Sequence, residues 1–71
     1  MQEKTEPFNI EAERSVLGSM LIDNETICFV TDSLGKNDFY VVSHRHIFET
    51  IVNVYDKQNG VDLVILKDAL I

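Results

Sequence analysis

Asn9-Ile10-Glu11-Ala12-Glu13-Arg14-Ser15-Val16-Leu17-Gly18-Ser19-Met20-Leu21-Ile22 is the stretch on which the fold turns. Asn9 is a good N-cap for a helix beginning at Ile10, because its side chain can accept from the early backbone N–H groups that have no helical partner. Glu11 and Glu13 fall in the first turn, where the positive end of the helix dipole favours carboxylates. They are two residues apart and diverge around the helix, so dipole stabilisation accounts for both. Ile10, Leu17, Met20 and Leu21 form a stripe at helical spacing, with Val16 on its flank. Gly18 inside such a helix costs about 1 kcal/mol relative to Ala. The reading is that another helix approaches closely there, and that a large side chain at 18 would overpack the contact.

Working outward, Asp23-Asn24 breaks the run and can cap a second helix, in which Ile27, Val30 and Leu34 recur on one face. The β-branched residues within 26–31 would also suit a strand. Helix is favoured by the punctuation at both ends, with Gly35 placed as a left-handed C′ residue. Asp38-Phe39-Tyr40-Val41-Val42 reads as a connector whose two aromatic rings plug the gap between helices. Ser43 is expected to cap a third helix with a wide apolar face of Ile47, Phe48, Ile51, Val52 and Tyr55, ending near a Gly60 C-cap. Asp62 is the N-cap candidate of a fourth helix, with Val61 and Leu66 placed for a hydrophobic staple and Leu63, Leu66 and Leu70 on the buried face. The fold expected is all-α: a small orthogonal bundle of about four helices plus a short connector. Residues 1–6 are read as a loose tail and 7–71 as the domain.

Size and composition bound what such a chain can do. Seventy-one residues make at most one small domain, and a chain this short buries only about 60% of its unfolded surface. Its stability should therefore be about 4–10 kcal/mol. Six basic against twelve acidic residues leave a net charge of −6, which repels a phosphate backbone and argues against direct nucleic-acid binding. The one cysteine, Cys28, excludes an internal disulfide and reads as a small core residue in a reducing, cytoplasmic setting. No apolar run approaches the length of a membrane span, and no signal-peptide pattern opens the chain.

Catalytic and metal chemistry find no footing in the sequence. There is no G-x-x-x-x-G-K-[ST] phosphate loop. His44 and His46 point to different helix faces, and one-helix chelation needs about i, i+4 spacing. His44 is instead placed to hydrogen-bond back to the connector and help fix Phe39 and Tyr40. None of Ser15, Ser19, Ser33 or Ser43 sits in the context of an activated nucleophile. Phe39 and Tyr40 lack the basic neighbours of a stacking platform for single strands. No helix carries the side chains that base readout needs.

Several short elements then combine in order: Glu11-Ala12-Glu13, Ser15-Val16-Leu17-Gly18, Asp38-Phe39-Tyr40, His44, Ile47-Phe48, Tyr55 and Val61-Asp62. No single piece is diagnostic, but across residues 7–70 the set resembles the N-terminal domain of the DnaB-type replicative DNA helicases. The resemblance implies an all-helical collar on a six-membered ring, joined by a linker to a RecA-like motor that uses ATP and Mg to unwind duplex DNA at the replication fork. It implies pairing into a trimer of dimers, recruitment of primase, and a helicase loader as a further partner. In the family the pairing uses a C-terminal helical hairpin, which would follow Ile71 and is lacking here. The fragment is thus expected to be a truncated, non-catalytic interaction module without a cofactor of its own. Its packing residues are Leu17, Gly18, Leu21, Phe39, Tyr40, His44, Phe48 and Tyr55, and Glu11 is the candidate partner contact. The alternative is a free-standing helical adaptor or inhibitor that binds a replication helicase or primase.

Overall fold

The computed structural model describes residues 9–71; the tail read at 1–6 lies outside them. Among the described residues four α-helices follow one another: α1 (Ile10–Ile22), α2 (Thr26–Ser33), α3 (Val42–Gln58) and α4 (Leu63–Leu70), with a 3₁₀ turn at Lys36–Asp38. No strand occurs among the described residues, so the β-branched run of α2 is helical. The longest helix, α3, is central: it packs against α1, α4 and the 3₁₀ turn, while α2 packs on α1. The core is one cluster, formed by Leu17 and Met20 of α1, Ile27 of α2, Phe39 of the connector, Phe48 and Ile51 of α3, Val61, and Leu66 of α4.

Two of the helix starts are built as their sequences indicate. Asn9 Oδ1 accepts from the Ala12 amide at 3.0 Å, and Asp62 Oδ1 accepts from the Ile65 amide at 2.9 Å. Val61 and Leu66, the residues of the staple, are both buried. At α3 the apolar face holds: Phe48 and Ile51 are buried, and Ile47, Val52 and Tyr55 pack partly buried against the core.

Elsewhere the local reading needs correction. Helix α3 begins at Val42 after Val41, with no side-chain cap, so Ser43 lies inside the first turn and does not cap it. Gly35 is extended at φ −118° and does not take the left-handed conformation. The α3 terminus uses Asn59 (φ 62°) as its left-handed residue, not Gly60; asparagine tolerates that region because its short polar side chain bonds locally. Leu63 is 66% exposed, so the buried face of α4 rests on Leu66 and Leu70. Cys28 is exposed and is no core residue. The tightest correction concerns Gly18: a Cβ added there would meet no atom within 4 Å. No helix crosses closely at that point.

Asn24, read as a cap, fastens the two ends of the fold together. Glu25, whose side chain makes no capping hydrogen bond, precedes α2, and its amide donates to Asp23 Oδ1 at 3.1 Å. The Asn24 side chain donates to Met20 O and to Val61 O, both at 2.8 Å, and accepts from the Val61 amide at 2.9 Å. One side-chain amide thereby satisfies both peptide groups of Val61 and a terminal carbonyl of α1, groups that would otherwise be left unpaired by the chain reversal.

Candidate functional site

Glu13 lies one helical turn before Leu17, which turns it toward the core instead of solvent. It is the buried charged residue among those described, at 8% exposure. Its carboxylate accepts from the Tyr40 amide at 2.7 Å, from the Val41 amide at 3.4 Å and faces His44 Nδ1 at 2.8 Å. A buried carboxylate is costly unless hydrogen-bonded, and here α1, the connector and α3 all supply partners. Burial pushes the Glu13 carboxyl up, but the hydrogen bonds from the Tyr40 amide, His44 and the Val41 amide, with the field of His44, outweigh it. The group is held below its ordinary value of 4.5.

The connector is gripped from the other side as well. Arg45 Nε donates to Phe39 O at 2.6 Å, while the Phe39 ring, 2% exposed, lies 5.0 Å from that of Phe48 at a 39° tilt. Tilted aromatic pairs of this separation add to simple burial. Upstream, Asp38 Oδ2 accepts from the Gly35 amide at 2.7 Å, and Lys36 Nζ meets Glu49 at 2.9 Å. The Lys36 hydrogen bond and charge hold the Glu49 carboxyl low, but both side chains are about half exposed, so the pair adds little.

This geometry sorts the residues singled out in the sequence. Phe39 fills the gap between helices at 2% exposure, whereas Tyr40 is 54% exposed and its backbone amide donates to Glu13. His44 reaches the Glu13 carboxylate; the direct bond to the connector is made by Arg45. Leu17 and Phe48 are buried, Leu21 and Tyr55 pack partly buried against the core, and Glu11 is exposed in the first turn of α1. Gly18 is half-buried and apart from any helix contact. The residues that the sequence reading missed are Glu13 and Asn24. A signal for Glu13 existed: Ile10, Glu13, Leu17 and Met20 fall on one 3.6-residue face, and a carboxylate on an apolar stripe calls for a buried partner.

Chemically, the Glu13–His44 pair is a tether. Its carboxylate oxygens are committed to the Tyr40 and Val41 amides and to His44. No His, Cys, Asp and Glu grouping among the described residues could hold a metal ion, and no helix among them is long and apolar enough to cross a membrane. A surface groove of about 470 Å³ lies elsewhere, between the end of α3 and α4, lined by Gln58, Val64, Ile65, Lys67, Asp68 and Ile71.

A four-helix, all-α domain pinned by a buried carboxylate is the class that fold and site define. Residues 5–71 match the sequence profile of the DnaB-like helicase N terminal domain, and the chain belongs to that family. It is 36% identical over 67 residues to a protein of Treponema pallidum (strain Nichols) named Replicative DNA helicase DnaB, covering 94% of this chain and 15% of that relative. A protein of the same name from Buchnera aphidicola subsp. Baizongia pistaciae (strain Bp) is 34% identical over 64 residues, covering 90% of this chain and 14% of the relative. One from Rhodothermus marinus is 38% identical over 64 residues, 90% of this chain and 7% of its own length. The chain thus spans about one-seventh or less of the length of these relatives. No solved structure gives a significant match.

Proposed function

We propose that this chain, over residues 7–71, is the N-terminal interaction and oligomerisation domain of a replicative DNA helicase. It carries no catalysis itself and works in the cytoplasm beside a separate motor that uses ATP and Mg to unwind duplex DNA at the fork. Its partners are the other subunits of a hexameric ring, primase and a helicase loader. The observation that carries the reading is the family match over residues 5–71, with relatives named replicative DNA helicases. Two features support it: the sequence has no phosphate loop, and its net charge of −6 disfavours a phosphate-backbone ligand. Such a module acts by surface complementarity, keeping partners at high local concentration around the ring. Glu11, exposed at the start of α1, is the contact assigned to primase.

The test is titration of the purified chain with primase by calorimetry, alongside nucleotide hydrolysis and DNA binding at low salt. The expected result is primase binding that the Glu11→Lys variant weakens, with neither hydrolysis nor DNA retention. Nucleotide turnover, or salt-dependent DNA binding, would overturn the assignment. Binding to an intact helicase ring in place of self-assembly with its subunits would instead identify an adaptor.

A further inference from the structure

We propose that Asn59 is a site of spontaneous covalent modification, where the side-chain amide leaves as ammonia through a cyclic imide closed by the Gly60 nitrogen. The chain carries Asn9, Asn24, Asn37, Asn53 and Asn59, and of these Asn59 alone precedes a glycine. A side chain on the following residue hinders approach of its backbone nitrogen to the asparagine; glycine has none. Asn59 is exposed at the end of α3, in the left-handed region at φ 62° and ψ 26°. Its own amide donates to Tyr55 O at 2.7 Å and finishes the helix. Among the described residues the next peptide unit, the Asn59 carbonyl and the Gly60 N–H, makes no hydrogen bond at either end. That unit can therefore turn the Gly60 nitrogen toward Asn59 Cγ without breaking a bond. Asn24 is the contrast: its side chain is committed to Met20 and Val61, and a glutamate follows it.

The reaction needs water and no other reactant. The Gly60 nitrogen gives its proton to solvent and attacks Asn59 Cγ; the N–Cγ bond forms, the Cγ–Nδ2 bond breaks, and ammonia departs. Water then opens the imide at one of its two carbonyls. Hydrolysis at Cγ leaves aspartate, whereas hydrolysis at the Asn59 backbone carbonyl leaves isoaspartate, with the main chain running through Cβ and Cγ. Overall one water is consumed and one ammonia released, with nothing oxidised or reduced. Both products place a carboxylate at the negative end of the α3 dipole, where it is disfavoured, and next to Gln58, which lines the groove between α3 and α4. Isoaspartate also inserts a methylene into the main chain just before Val61. That residue is buried, and both of its peptide groups are held by Asn24. Modification at Asn59 thus loosens the attachment of α4.

Incubation of the whole chain in mildly alkaline buffer tests this, read by peptide mass mapping and by labelling with an isoaspartyl carboxyl methyltransferase. The wild type should convert amide to acid at Asn59 and take the label there, with the other asparagines unchanged over the same period. Gly60→Ala should slow the conversion at least about tenfold, because its methyl group obstructs ring closure. That variant keeps the fold: Gly60 has no positive φ, and an added Cβ comes no nearer than 3.9 Å to Asn24 Oδ1. In the converted chain, amide exchange at Val61 should rise about tenfold as its hydrogen bond to Asn24 weakens, while Ile51 keeps its rate. Conversion no faster at Asn59 than at Asn37, or equally fast in Gly60→Ala, would overturn the site. Undiminished protection of Val61 after conversion would overturn its effect on α4.

Discussion

Glu13 and His44, thirty-one residues apart in the chain, meet at 2.8 Å, and the same carboxylate closes over the Tyr40 and Val41 amides. One side chain thus joins the first helix, the connector and the third helix, which is why a charge is tolerated beside Leu17 and Met20.

Removing it should be costly. Glu13→Ala leaves two backbone donors and an imidazole without their acceptor in a buried position. The loss should be about 1–3 kcal/mol, a large share of the stability of so small a domain. Chemical denaturation followed by circular dichroism measures it; an unchanged midpoint would mean that the tether contributes nothing.

The same site sets an acid dependence. In the folded state the Glu13 carboxyl is held below its ordinary value of 4.5, so folding favours the ionised form. The stability this contributes is complete above 4.5 and is lost as pH falls below it, through the lowered folded value. Denaturation midpoints measured from pH 7 down to pH 3 should decline more steeply for the wild type than for Glu13→Gln, which has no proton to take up.

Asn24 offers a second test, independent of the first. Asn24→Ala removes three hydrogen bonds, to Met20 O, Val61 O and the Val61 amide. A loss of about 1–3 kcal/mol is expected. Amide exchange at Val61 should rise in step, because that donor has lost its acceptor; protection retained at Val61 would refute the role.

Gly18 reverses an intuition. Since an added Cβ meets nothing within 4 Å, Gly18→Ala has room and gains helix propensity. The variant should be more stable by about 1 kcal/mol, seen as a rise in Tm of about 4–8 °C for a domain of this size. A fall in Tm would restore the close helix contact that the sequence suggested.

Phe48 is the core anchor against which the connector's ring rests, 5% exposed. Phe48→Ala should cost about 3–5 kcal/mol through lost transfer energy and an unfilled cavity. A cooperative thermal transition close to the wild-type Tm would count against that placement.

What the amino-acid order determined by itself is the set of features that act within one or two helical turns. The Asn9 and Asp62 caps bond three residues ahead, and the Phe48–Ile51 stripe follows from 3.6-residue periodicity alone. The family, too, is legible in the string, since its short motifs keep their order and spacing. The tertiary structure alone decided which of two equivalent-looking residues does what. Glu11 and Glu13 differ only in which side of α1 meets the connector, and Phe39 and Tyr40 only in which ring turns inward. Gly18 faces no crossing helix because the approach of α3 is fixed by Leu17, Met20 and Ile51. Asn24 looks like any turn asparagine until Val61, thirty-seven residues later, is brought beside it. The physical reason is common to all four: local hydrogen-bond geometry is set by neighbours in the chain, whereas the partner of a buried polar group is set by which helices pack together.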